Sequence, residues 1–530
     1  MITIKLTKNN VFQWHCENGI SAIGYLFTPA GKLYRDSELC TFFDSVETEN
    51  DFLQKLLSAN GNFSVIIQKE QSLWMAVDRF RYFPLFYRQK EGELLVCDEI
   101  TGLFESDEPK EFEEKALLEF QALGCTLENR TLLKNAFQIQ AGEYIIYDSS
   151  NIVRTFYHNC FSEINNIDFN EAKKQLKEIL HNVGKRMSEL MGERQVLLPL
   201  SAGFDSRLIA YLLKKEGIKN VLCFSYGKKE GNPEWKRSQT VAEKLGFQWF
   251  FIDYTQIDNL DYYKQKRFTD YYQYAAQYVN KFAFTQYFAV NHLIDEKKIQ
   301  VANSVHLPGH GGDFLSGRHL QPYMQNYQRL ASIAKDLSIF GFHVGDLVQL
   351  TGKERKTIEK TIVSQLTDFS PLFLNFDNWE LKEREAKCVF TFNKLWEQQG
   401  IDSYMPLCDT ELMDFFVSLP FEYRLNQKLY NSVLTELFAE YDINFPQNKS
   451  NPKTVILRQI KNYIKRTIPF LKKKKDVFLF DYFDLKRLYK PILNELEGAG
   501  ETRKILSSNG IILEWYLLQI KNNLQNEKNH

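Results

Sequence analysis

The sequence predicts a multidomain α/β fold in two unlike parts, an N-terminal antiparallel β-sandwich followed by a doubly wound parallel sheet with a helical extension. Three observations predict it. Up to about residue 155, short apolar runs bounded by Gly, Asn, Asp or Glu clusters recur at the close intervals of antiparallel strands. From residue 170 the apolar spacing becomes helical, and between 195 and 254 strand-like and helix-like runs alternate. A chain of 530 residues also exceeds what one ordinary core accommodates.

The elements follow in order. "NFSVIIQ", "SLWMAV", "PLFYRQ", "ELLVCD" and "EYIIYD" read as strands. In "NEAKKQLKEILHNVGKRMSELMG" (170–192), Ala172, Leu176, Ile179, Leu180 and Val183 recur at helical spacing. A boundary near 160–168 follows, giving units 1–160 and 165–530. Strand "QVLLPL" then leads through a small-residue turn into helix "DSRLIAYLLKKEG". Strand "NVLCFSYG", helix "PEWKRSQTVAEKLG" and strand "QWFFIDY" come next. Parallel neighbours need crossover helices, so this alternation implies a parallel sheet. Beyond about 260 the pattern is mainly helical and rich in aromatic residues.

Composition narrows the function classes. Lys plus Arg total 66 and Asp plus Glu 67, so no net field recruits nucleic acid. The eight cysteines are dispersed with no Cys-x-x-Cys pair, which argues against a zinc site or disulfide framework and suits a reducing cytoplasm. The start has no apolar stretch of signal-peptide length, and no run reaches the roughly 18 residues a membrane span needs. The basic run "IKRTIPFLKKKKD" (464–476) reads as a solvated helix end or loop.

The chemistry concentrates in the turn after "QVLLPL". In open parallel sheets, ligands bind at the carboxyl ends of strands, beside helix N-termini. Ser201, Ala202 and Gly203 are small enough for main-chain N–H groups to approach an oxyanion there, where the helix end adds positive partial charge. Ser201 and Ser206 add hydroxyls, and Asp205 suits a hard cation such as Mg²⁺. The same residues also fit an ordinary β–α turn in which Asp and Ser cap the helix.

"LSAGFDSR" (200–207) resembles the Ser-Gly-Gly-x-Asp-Ser pyrophosphate loop of the ATP pyrophosphatase superfamily, with Ala202 replacing a glycine. Four further segments resemble the asparagine synthetase family within it. "FSYGKKEGNPEWKRSQTVAEKLG" is similar to its adenine-holding strand end and following helix, which implies nucleotide contacts at Ser225 and Gly227 and places Glu234 at a family glutamate. "LPGHGGDFLSGRH" is similar to its Gly-x-Gly-[AS]-Asp loop, implying Gly309 and Gly311 beside the nucleotide and Asp313 as a second Mg²⁺ ligand with Asp205. "GIDSYMPLCDTELMDFFVSLP" and "INFPQNKSNPK" match the two later segments, the last placing Lys449 at the catalytic lysine, with Lys453 as the spare.

"GNFSVIIQKEQSLWMAVDRFRYFPLFYR" (61–88) and "LLVCDEITGLF" (94–104) resemble the family's glutaminase domain, which implies an Ntn-hydrolase-like fold. That domain uses an N-terminal Cys, whereas residue 2 is Ile, and 26–50 lacks the Asn-Gly-Glu glutamine-binding strand. Without a thiolate near an α-amino group there is no activated nucleophile, so glutaminase chemistry is expected to be absent.

The resemblance implies an ATP-dependent amide-forming ligase that activates a small-molecule carboxylate as an acyl-adenylate, releases pyrophosphate and AMP, and uses ammonia or an amine. Two departures bear on the product. His310 replaces the family's Glu, or the Tyr of β-lactam synthetases, and a histidine there could act as general base or be a loop residue held by backbone hydrogen bonds. Asp402 and Tyr404 replace Glu and Arg; Asp402 is a catalytic candidate, but the lost guanidinium puts aspartate as substrate in doubt. Arg207 either clamps substrate or braces its helix. The alternatives are a natural-product amide or lactam cyclase and a catalytically degenerate nucleotide-binding protein.

Overall fold

The computed structural model describes residues 1–7, 11–105, 108–232, 234–258, 260–341, 346–445, 477–478, 481–500 and 503–528. Lys449, Lys453 and the basic run 464–476 lie outside the described residues.

The N-terminal part contains β1 (Ile2–Lys5), β2 (His15–Glu17), β3 (Ile20–Phe27), β4 (Leu33–Arg35), β5 (Asn60–Lys69), β6 (Ser72–Val77), β7 (Phe86–Lys90), β8 (Glu93–Cys97), β9 (Phe137–Gln138), β10 (Glu143–Asp148) and β11 (Asn151–Phe156). One sheet runs β11-β10-β6-β5-β3-β2 with β4 on β3; the other runs β1-β8-β7-β9. Every pairing is antiparallel except β1 on β8. Local turn chemistry sets the register. Asn18-Gly19, Glu91-Gly92 and Ser149-Ser150 each close a two-residue hairpin with positive φ at both positions, the twist that suits right-twisted strands.

Ile66, Met75 and Val77 of the larger sheet meet Tyr87, Leu94 and Val96 of the smaller in one core, which makes a sandwich. The larger sheet's other face buries Phe42, Phe43, Phe52 and Leu56 from helices α1 (Glu38–Phe43) and α2 (Glu49–Ser58). Helix α3 (Glu114–Leu123) precedes β9, and a link from the end of β11 through residue 168 leads to the second part.

Helix α4 (Phe169–Met191) starts where the Asp168 carboxylate accepts from the main-chain N–H of Asn170 at 2.8 Å. Strand β12 (Gln195–Pro199), helix α5 (Phe204–Lys215), β13 (Val221–Gly227), helix α6 (Glu234–Leu245) and β14 (Gln248–Asp253) follow, then β15 (Ser304–His306) and β16 (Asp402–Ser403). All pairings are parallel, in the order β14-β13-β12-β15-β16. The order therefore reverses between β12 and β15. Side-chain alternation seats Val196 and Leu198 with α4, α5 and α6 on one face, and Leu197 with the aromatic helices after 260 on the other.

Charged contacts join the two parts. Arg79 pairs with Asp414 at 2.7 Å, and the Tyr82 hydroxyl donates to the Ser403 carbonyl at 2.7 Å. A π-helix, Glu380–Val389, sends Lys387 Nζ to the carbonyls of Thr126 and Glu128 at 3.0 and 2.8 Å. Among the described residues no helix is long and apolar enough to cross a membrane.

Candidate active site

The point where strand order reverses is where an open α/β sheet leaves a crevice, and the small-residue turn sits there. After β12 the chain makes a compact loop in which the Ser206 hydroxyl receives the Ser201 N–H at 3.1 Å and lies 3.0 Å from the Ser201 hydroxyl. The Gly203 N–H donates to Ser201 Oγ at 3.1 Å. Asp205 thus stands in the first turn of α5, beside the carboxyl end of β15.

The loop after β15 lies directly on this turn, and glycine is what permits it. A Cβ at Gly309 would come within 2.8 Å of the Ser206 amide nitrogen, and one at Gly312 would collide with the Asp205 carboxylate. The Asp313 main-chain N–H is directed at that carboxylate, which also accepts from the Tyr430 hydroxyl at 2.7 Å. Burial, and then the negative charge of Asp313, push Asp205 up to about 7. Asp313 is ion-paired with Arg318. Two carboxylates thus lie close together at the cleft.

The opposite wall is the π-helix. Arg384 pairs with Glu380 and, at 2.7 Å, with Glu385. Burial dominates at Glu385, raising it to about 8 although Arg384 opposes the shift. The second oxygen of Glu380, Oε2, is buried with no hydrogen-bond partner among the described residues. The cleft between the walls holds about 920 Å³, the size of a site for a nucleotide-sized ligand. Ser201, Gly203, Asp205, Ser206, Gly309, His310, Gly311 and Asp313 all line it.

Other candidates sit elsewhere. Ser225 Oγ donates to the Leu200 carbonyl at 2.6 Å, and its neighbour Tyr226 lines the cleft instead. Gly227 is packed under the Tyr482 carbonyl. Ala202 and Glu234 do not line the cleft. Asp402 is turned away: its carboxylate meets Arg194 at 2.6 Å on the edge strand β16. Tyr404 packs edge-on against Tyr25, 5.5 Å between centroids. Asp402 thus pairs within the second part, while Tyr404 joins the packing between the two parts. Arg207 proves to be a brace. Its guanidinium donates to the carbonyls of Gly203 and Ile443 at 3.1 and 3.0 Å and lies over Phe204, Phe438 and Phe445.

His310 lines the cleft, yet burial holds its imidazole down to about 4, and Nδ1 is buried without a partner among the described residues. Sequence reasoning missed Arg318, His319, Glu380, Arg384, Glu385, Gln427 and Tyr430. Arg318 and His319 adjoin the recognised loop and could have been drawn from it. "ELKEREAK" (380–387) gave a misleading signal, because a dense charged run normally marks a solvated face.

A model of the glutamine amidotransferase domain matches residues 47–158, and the asparagine synthase model matches 179–448. No curated protein matches the chain. Among solved structures, the NH3-dependent NAD synthetase from Campylobacter jejuni subsp. jejuni NCTC 11168 is 18% identical, over 42% of this chain and 96% of that one, at a TM-score of 0.20. NMN synthetase from Francisella tularensis is 12% identical, over 53% and 100%, at 0.18. The glutamine phosphoribosylpyrophosphate amidotransferase from B. subtilis is also 12% identical, over 59% and 60%, at 0.18. The asparagine synthase match alone takes in just over half of the residues, and the chain belongs to the asparagine synthase family.

Proposed function

We propose that the chain is an ATP-dependent amide-forming ligase that joins a carboxylate to the α-phosphorus of ATP and then transfers the acyl group to a nitrogen nucleophile, releasing AMP. The observation that carries this reading is the pair Asp205 and Asp313, brought together over the Ser201–Ser206 turn at the sheet's reversal point. Carboxylate oxygen is a poor leaving group, so amide formation needs such activation. The main-chain N–H groups and hydroxyls of 201–206 offer a cradle for the departing pyrophosphate at the N-terminus of α5. Among the described residues no cluster of three or more His, Cys, Asp or Glu could hold a metal by itself. Two carboxylates fit Mg²⁺, which takes its remaining ligands from phosphates and water. Bound there, Mg²⁺ would neutralise charge on the phosphates. Asp205, near neutral pKa without a cation, would give up its proton as the cation binds.

The units 1–160 and 165–530 stand in this reading as a glutaminase-like part without its nucleophile and a synthetase part. Lys449 would stabilise the charged transition state, and the protein would work in the cytoplasm on ammonia or an amine. Because Asp402 and Tyr404 face away from the cleft, a carboxylate other than aspartate is favoured, as in a natural-product amide ligase. The test is pyrophosphate exchange into ATP with Mg²⁺ and a panel of carboxylates starting with L-aspartate. Exchange with one of them supports the ligase. ATP binding without exchange from any of them supports a nucleotide-binding protein without turnover. Equal product from glutamine and ammonia as nitrogen source would overturn the loss of glutaminase chemistry.

A further inference from the structure

The transfer step needs a group to accept a proton from the attacking nitrogen, and neither His310, held at about 4, nor Asp402, outside the cleft, supplies one. We infer that His319 is that base and that Asp377 positions it, an inference that rests on the ligase reading above. His319 lines the cleft six residues beyond Asp313 in the same loop. Its Nε2 donates to Asp377 Oδ1 at 2.6 Å, and Asp377 Oδ2 accepts from Arg424 Nη1 at 2.7 Å. Asp377 is fully buried; burial opposes its ionisation, but Arg424 and His319 outweigh it and hold the carboxyl at about 2. The imidazole also stacks on Phe376, 5.1 Å between centroids and 6° from parallel, and on Phe314 at 5.9 Å and 17°.

With Nε2 committed to Asp377, the lone pair belongs to Nδ1, which makes no hydrogen bond among the described residues. An imidazole that lines the cleft and is fixed by a buried carboxylate on one nitrogen, with the other nitrogen uncommitted, is the arrangement of a general base. The other charged groups around it are Asp313 and Arg318 on its own loop, Arg424 behind Asp377, and Glu380, Arg384 and Glu385 across the cleft. In the step, the amine lone pair forms the C–N bond and its proton passes to Nδ1. The electron pair of the acyl C–O bond leaves with the AMP phosphate, and the Nε2 proton stays on the imidazolium, hydrogen-bonded to the Asp377 carboxylate.

His319→Gln tests this, because its amide can still donate to Asp377 but has no basic nitrogen. Exchange of pyrophosphate and amide formation from ammonium chloride are measured with the carboxylate that supports exchange. Amide formation is expected to fall about 100-fold more than exchange, with kcat and not the ammonium KM carrying the loss. His319→Gly with added imidazole is expected to regain at least tenfold, and Asp377→Asn to give a smaller selective loss. Equal losses in both half-reactions, or no imidazole rescue, would overturn the inference and leave the ligase intact. Absence of exchange in the unaltered protein would instead sink the ligase reading.

Discussion

The sandwich and the cleft arrange their charges differently. In the N-terminal part, arginines meet carboxylates: Arg88 forks onto Glu108 at 2.8 and 2.7 Å, and Arg130 onto Glu119. Asp78, fully buried, accepts from the main-chain N–H of Phe80 at 2.7 Å and of Tyr82 at 2.9 Å. At the cleft, like charges are forced together. Asp205 is near Asp313, two glutamates share Arg384, and Glu380 Oε2 has no partner among the described residues. Burial of an unpaired charge costs several kcal/mol. Like charges gathered around a cleft leave room there for a charged ligand to complete the set.

Breaking the cleft's acids should have the largest effect. Asp205→Asn or Asp313→Asn is expected to lower pyrophosphate exchange by about 10²–10³-fold, while Asp205→Asn keeps or raises the melting temperature because it removes a strained charge. Loss of stability together with activity would show that the pair is structural. Gly312→Ala comes next. Its methyl must displace the Asp205 carboxylate, and a shift of that kind is expected to cost about 10²-fold in exchange, measured with the fold verified by circular dichroism.

The sandwich should respond in the reverse sense. Arg130→Ala leaves Glu119 buried and unpaired, so denaturant unfolding should register a loss of about 3 kcal/mol with exchange per folded molecule unchanged. A fall in exchange there would join the two regions functionally.

The smallest effect is on pH. Asp205 and Glu385 are raised to about 7 and about 8 in the fold. Carboxyls raised in the folded state add stability that is full below their unfolded range and is lost as pH rises through the folded values. The melting temperature should therefore decline between pH 6 and 9, less so with Mg²⁺ and ATP present, and the decline should shrink in Glu385→Gln. A melting temperature that rises over this window would contradict the placement of these acids.

Much of the fold was legible because it is written locally. Short apolar runs bounded by polar clusters marked β5, β6, β8 and β10, and helical spacing marked α4 through Leu176, Ile179 and Val183. The turn at 201–206 was also readable, since small residues at a strand end carry a steric meaning, whereas the loop at 309–313 was found through its resemblance to a family motif. Their meeting was not readable, because nothing local says that β15 will pair with β12. The π-helix escaped for the same reason in reverse: "ELKEREAK" looks solvated until Thr126, Glu128 and Asn159 arrive from the sandwich to bond it.

By itself, then, the sequence determined which segments become strands and helices and where close backbone approach is possible, because those depend on residues within a few positions of one another. Only the tertiary structure decided which charges face each other. It seated Asp402 on Arg194, spent Arg207 on two carbonyls, set Asp313 beside Asp205 and turned His319 onto Asp377. Electrostatic energy depends on distance through space and on burial, and neither is carried by the order of residues along the chain.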